Sequence, residues 1–135
     1  MLVQEKVCEQ LRWRICDRLL VQGGNFFKSV PSNGDAYLLK HIIHDWDDQQ
    51  ALIILQNCHQ AMNYQSKLLI VDRVIPSGNE PMAGKFMDLN MLVLTSGGKE
   101  RTQAEFSQLL TAAGFEIKQI ISTAADISVI EAVPI

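Results

Sequence analysis

The sequence contains no apolar run approaching the roughly 20 residues that a bilayer-spanning helix needs, and this excludes a transmembrane helix read from hydropathy. Cysteine is scarce. Cys8, Cys16 and Cys58 are odd in number and show no C-x-x-C spacing, which excludes a disulfide frame and a zinc knuckle and leaves reduced thiols. Neither sign of charge dominates: 12 Lys and Arg stand against 15 Asp and Glu, for a net charge of −3. Such a balance lacks the basic footprint of a nucleic-acid or anionic-membrane partner. The opening stretch MLVQEKVCEQLRWR carries acidic residues where a signal peptide would be apolar, so the expected compartment is the cytoplasm. Internal repeats and low-complexity segments are also missing. What remains is 135 residues of ordinary globular composition, 47% hydrophobic, enough for one domain with a core.

Val7, Leu11, Ile15 and Leu19 recur every four residues and predict an amphipathic helix over residues 4–19. Paired glycines, a proline and an Asn-Gly turn in VQGGNFFKSVPSNGD then break the pattern. AYLLKHII, residues 36–43, is a short apolar run between turn signals and reads as a buried strand. Asp47 is the expected N-cap of a helix over 48–62, with Gln50 as its reciprocal partner. KLLIVDRVI predicts a second strand ending at Asp72. Residues 82–94 predict an apolar helix on which Met82, Met87 and Met91 lie near helical spacing, either as core or as a pocket wall. Thr102 and Glu105 form a capping box for a helix that stops at Gly114. FEIKQIIST and DISVIEAV predict a C-terminal antiparallel pair. This order implies an α/β fold with a mostly parallel sheet and helices on its faces. In such sheets ligands sit beyond the carboxyl ends of the strands. His44 to Trp46 and Asp72 both fall there, opening into one crevice.

HIIHDWDD, residues 41–48, admits three readings. As a metal site it lacks an obvious third ligand, and in a strand positions 41 and 44 point to opposite faces. As plain structure, His44 ends a strand and Asp47 caps a helix. As chemistry, His44 is a base at a strand end. Asp72 and Glu100 carry the same choice between a solvated charge and a supporting carboxylate.

The segments GGNFFKSVP, GDAYLLKHIIHDWDDQQALIILQNCHQAM, KLLIVDRVIP and FMDLNMLVLTSGGKERTQAEFSQLLTAAGF, in that order, resemble the C-terminal part of the S-adenosylmethionine-dependent small-molecule O-methyltransferases, the family of plant caffeate- and flavonoid-type enzymes and their bacterial relatives. The resemblance runs from residue 15 to the end and leaves residues 1–14 outside it. It implies one domain, the C-terminal portion of a Rossmann-like methyltransferase sheet that lacks the first two strands. It implies His44 as general base, with Asp72 and Glu100 flanking it. It implies cofactor contacts at Asn25, Phe26 and Lys40, and acceptor contacts at Asp45, Trp46, Met91 and Thr95. The implied cofactor is S-adenosylmethionine, the acceptor a small and preferably aromatic hydroxyl compound, and no metal is required.

The sequence departs from the family pattern in three places. Asn25 stands where an aspartate is usual, and Asp72 where a glutamate is usual. More seriously, no G-x-G-x-G turn precedes the HDW strand. Without it the cofactor loses backbone hydrogen bonds, and without the first two strands the sheet exposes an apolar edge. The expected partner is therefore a second copy or a complementing chain. The rival reading is a catalytically silent paralogue that acts as a dimerisation or interaction module.

Overall fold

Turn residues Pro31 to Asp35 deliver the chain into β1 (Ala36–Lys40), the first strand of the computed structural model, which describes residues 20–78 and 83–135. The helix expected over 4–19 and the methionine at 82 lie outside the described residues. β1 runs parallel to β2 (Lys67–Asp72), in register from Ala36 opposite Lys67 to Lys40 opposite Val71. β5 (Phe115–Ser122) and β6 (Ser128–Pro134) form the expected antiparallel hairpin, with an irregularity between Ile117 and Gln119. β6 also pairs antiparallel with β2, giving the order β1-β2-β6-β5. The sheet is therefore mixed, its parallel character carried by β1 and β2. A separate short parallel ladder joins β3 (Val74–Ile75) to β4 (Arg101–Thr102).

Alternation along the strands selects the buried face. Leu68 and Ile70 of β2 point into the core, and the register sets Ala132 and Ile130 of β6 beside them. Helix α1 (Asp48–Ala61) lays Ala51, Ile54, Leu55 and Cys58 on this face, the i, i+3, i+4, i+7 stripe of an amphipathic helix. Helix α3 (Gln103–Ala112) adds Phe106, Leu109 and Leu110. Burying each large side chain stabilises the fold by roughly 1.5–3 kcal/mol. Both helices share one face. On the opposite face Leu38 is 62% exposed and Ile121 47% exposed, so coverage of both faces is not seen among the described residues. Among the described residues β1 is an edge strand of this sheet.

The caps follow the residue types. Asp47 accepts from the Gln50 backbone N–H at 2.8 Å, but the reciprocal half of the expected box does not form, and Gln50 Oε1 is buried without a partner. Thr102 and Glu105 complete theirs. Between them, α2 (Ala83–Leu94) buries Met91 and half-buries Met87, while Phe86, Leu92 and Val93 face outward.

Candidate active site

The strand does not continue through HIIHDW. The His41 N–H makes the last ladder bond, to Val71 O at 3.1 Å, and His41 then adopts φ 51°. That left-handed region is rare for any residue but glycine. Ile43–Asp45 follows as a single 3-10 turn that sends Ile43 into the core and leaves His44 at the carboxyl end of the sheet. The strand-based expectation that positions 41 and 44 face opposite ways is thereby corrected. The reversal at His41 cancels the alternation, and the two imidazoles lie 5.3 Å apart, tilted by 31°.

Asp72 arrives at the end of β2. Glu100 is delivered by the short ladder: pairing Val74 with Arg101 sets the preceding residues Arg73 and Glu100 side by side, with Arg73 Nη1 3.7 Å from Glu100 Oε1. The Glu100 backbone N–H also donates to Asp88 Oδ1 of α2 at 2.8 Å. The outcome is a cluster in which His44 Nδ1 lies 3.2 Å from Glu100 Oε1 and 3.4 Å from Asp72 Oδ1. An ionised carboxylate can only accept, so Nδ1 carries the ring proton and donates to Glu100. In the neutral ring this tautomer leaves Nε2 unprotonated, 3.4 Å from Oδ1 of the half-exposed Asp45, whose charge favours the protonated form. The three residues read from sequence as base and flanking carboxylates are brought together.

The hydrogen bond to Glu100 raises the pKa of His44 above its ordinary value, against the opposing effect of burial, with Asp72 and Asp45 adding to the rise. Burial pushes Asp72 up to about 6, with Glu100 reinforcing the shift and His44 opposing it. His41 is lowered by burial and by the neighbouring cations.

The Asp72 shift sets a pH dependence. Its folded-state pKa exceeds the unfolded one, so the folded protein holds the extra proton between about pH 4 and about 6. That contribution to stability is complete below the window and is lost as pH rises through it. Asp72→Asn, which never ionises, is expected to be about 3 kcal/mol more stable than the parent above the window. The gap should close at acidic pH. Urea melts across pH check this, and a variant less stable than the parent at neutral pH would contradict it.

A residue not singled out from the sequence holds the cluster in place. Arg101 is wholly buried, and its guanidinium donates to Ile43 O and Trp46 O at 2.9 Å and to Asp48 Oδ1 at 2.8 Å. It thus grips the backbone on both sides of His44. Gly98 lies against the same turn: a Cβ there would sit 2.5 Å from His44 O, so the close approach demands glycine. The signal for these two was the GGKER run itself, which in isolation reads only as a polar loop.

The remaining site residues divide. Trp46 packs edge-on with Phe27 and Phe26, at 4.8 and 6.1 Å, so these two aromatics touch the turn carrying His44. Asn25 is exposed and turns its carboxamide oxygen onto the Phe27 N–H at 2.9 Å, closing its own turn. Lys40 is exposed at the end of β1, one residue before the reversal. Met91 is buried on α2. Thr95 uses its hydroxyl locally, donating to Met91 O at 2.8 Å and accepting from the Gly98 N–H at 2.7 Å. A cavity of about 670 Å³ lined by Val74, Pro76, Thr102 and Gln103 includes none of the cluster residues.

A model of the O-methyltransferase domain family matches residues 3–116. The chain belongs to this family. The match begins well before residue 15 and so takes in the N-terminal stretch that the motif resemblance left out. The chain is 50% identical over 119 residues to phenazine O-methyltransferase PhzM of Lysobacter antibioticus, covering 88% of itself and 35% of that protein. It is 38% identical to a mitomycin biosynthesis 6-O-methyltransferase of Streptomyces lavendulae, covering 91% of itself and 35% of the relative. Among solved structures it superposes on an O-methyltransferase from neocarzinostatin biosynthesis, NcsB1, in complex with S-adenosylmethionine and 2-hydroxy-5-methyl naphthoic acid, with TM-score 0.83 and 29% identity. That match covers 97% of this chain and 37% of the other. The chain thus spans little more than a third of the length of the proteins it matches. No helix among the described residues is long and apolar enough to cross a membrane.

Proposed function

We propose that this chain supplies the acid–base part of an S-adenosylmethionine-dependent O-methyltransferase site, with His44 as general base toward a hydroxyl of a small aromatic acceptor. The observation that carries the reading is the pairing of His44 Nδ1 with Glu100 at 3.2 Å and Asp72 at 3.4 Å. It holds the ring in the tautomer whose Nε2 accepts a proton. A phenol with pKa near ~10 is a poor nucleophile at neutral pH, and an imidazole is a suitable base for it. Nε2 takes the hydroxyl proton as the acceptor oxygen gains the methyl group, and the two carboxylates stabilise the resulting imidazolium, as an orienting carboxylate does in catalytic triads. Asp45, beside Nε2, Trp46 and Met91 form the acceptor wall in this reading. Thr95 contributes by closing the helix that bears Met91.

S-adenosylmethionine supplies, when bound, a methyl group already activated by its sulfonium charge. The residues present fit part of it. Phe26 offers a half-buried aromatic surface for the adenine, the exposed Asn25 uses only its amide oxygen locally, and Lys40 is exposed at the end of β1. In this reading residues 1–135 are one domain, the C-terminal portion of a class I methyltransferase catalytic domain. A complementing chain that carries the glycine-rich turn supplies the rest of the cofactor site in this reading. The exposed outer surfaces of β1 and α2 favour a second reading, an interaction module without catalysis.

Calorimetric titration of S-adenosylhomocysteine, alone and with a chain carrying a glycine-rich segment, tests the proposal together with a mass-spectrometric screen of hydroxylated aromatics for methyl gain. Binding and methylation in at least one of these assemblies is the expected result. Failure of both in every assembly, by protein that is folded, would overturn the enzyme reading in favour of the module.

A further inference from the structure

We propose that His41, His44 and Asp72 form a binding site for a zinc-type divalent ion, and that this ion and the base-competent form of His44 exclude one another. Ligand atoms of the three residues all lie within 4.8 Å of one another. The edges of the triangle are informative. His41 Nδ1 is 3.6 Å, and His44 Nδ1 3.4 Å, from the same oxygen, Asp72 Oδ1. An ion held tetrahedrally at about 2.0–2.1 Å from nitrogen and oxygen ligands sets those ligands roughly 3.3–3.4 Å apart. Two edges of the triangle are thus close to those of a tetrahedral face, and the third, between the imidazoles, is within 4.8 Å.

Two further observations favour a cation. Asp72 is 0% exposed, and neither of its carboxylate oxygens has a hydrogen-bond partner of good geometry. A buried carboxylate left in that state is costly, and a bound cation would relieve it. The His41 side chain is 34% exposed, so the site has an entrance beside a ligand. The charges around the site are mixed: Glu100 lies beside His44, while Lys40 and Arg73 act on His41, and Arg73 is itself engaged with Glu100 at 3.7 Å and Asp126 at 3.8 Å. Two imidazoles and one carboxylate, leaving a fourth position open, match Zn²⁺ or Co²⁺ rather than Mg²⁺ or Ca²⁺, which require more oxygen ligands.

The consequence follows from which nitrogen is used. Coordination takes His44 Nδ1, the atom that otherwise donates its proton to Glu100. The neutral ring keeps one proton, which must then reside on Nε2. Nε2 can no longer accept a proton from an acceptor hydroxyl. Metal and methyl transfer thus compete for the tautomer of one ring. Binding of the ion stands apart from the proposed methyl transfer; only its inhibitory effect rests on that reading.

His41→Asn is the discriminating variant, because asparagine tolerates the left-handed backbone at this position while removing the imidazole. Zn²⁺ affinity of the whole chain is measured by competition with a chromophoric chelator, with Mg²⁺ as control. The ring resonances of His41 and His44 are followed during the titration. The expected result is one Zn²⁺ per chain, movement of both rings, and a loss of roughly a hundredfold or more in His41→Asn, since even an outer-shell partner is worth about 10–100-fold. Undiminished affinity in His41→Asn, as binding at the cysteine thiols would give, overturns the proposal. So does the absence of Zn²⁺ binding by the parent.

Discussion

Arg101→Met is expected to lower the unfolding free energy by about 3–5 kcal/mol, a large share of the ~5–15 kcal/mol typical of a domain. Methionine fills much of the same volume but donates nothing. Ile43 O and Trp46 O, each at 2.9 Å from the guanidinium, would lose their partners inside the protein. Asp48, whose side chain is 59% exposed, would simply return to water, so most of the loss comes from the two carbonyls. Arg101→Lys places one ammonium where a planar fork is needed and should recover about half of the loss, since one point charge cannot serve carbonyls on both sides of the turn. Urea titrations of the three proteins measure this. Because Arg101 acts through the turn that carries His44, a second readout is required. The His44 ring titration in Arg101→Lys should move back toward that of an ordinary histidine, as the hydrogen bond to Glu100 that raises it loosens. A lysine variant with parental stability and an unmoved His44 titration would show that the brace is incidental.

His44→Ala is expected to slow methyl transfer by about 10²–10⁴-fold in the assembled enzyme, the usual range for removing a general base. Binding of S-adenosylhomocysteine should be unchanged, because the residue faces the acceptor proton and not the proposed cofactor contacts at Phe26 and Lys40. The loss therefore belongs in kcat. Glu100→Gln should have a smaller effect with a characteristic signature. The amide still meets Nδ1 but no longer stabilises the imidazolium, so the acidic limb of the pH–rate profile shifts downward as His44 loses the main cause of its raised pKa. Methyl transfer that persists in His44→Ala within about threefold of the parent would leave alignment alone to account for the chemistry, and the base would have to be sought elsewhere.

Much of the fold was legible locally. The helix at Asp47 and the helix at Thr102 begin where their caps are written, because an N-cap is a contact between residues three apart and needs no knowledge of the rest of the chain. The C-terminal hairpin forms from two short alternating runs joined by a turn. The grouping of His44, Asp72 and Glu100 was also anticipated, two of them because strand ends gather at one edge of an α/β sheet and all three because of the family resemblance.

What resisted reading is equally particular. His41 was assigned to a strand, and a single left-handed residue moved its imidazole from the far face to His44. Arg101 is the kind of side chain that sequence reasoning leaves in water, and here it is among the most buried in the protein. The family resemblance places Thr95 at the acceptor wall but does not reveal that its hydroxyl also donates to Met91 O and accepts from the Gly98 N–H. The sequence by itself determined the α/β class, the helix starts, the hairpin and the identity of the histidine–carboxylate group, all of which depend on periodicity, on contacts a few residues apart or on motif order. Only the tertiary structure decided how that group is oriented, braced and charged. Those properties depend on the β3–β4 register, on one backbone reversal and on burial, and each of these is set by residues distant in sequence that meet only once the chain has folded.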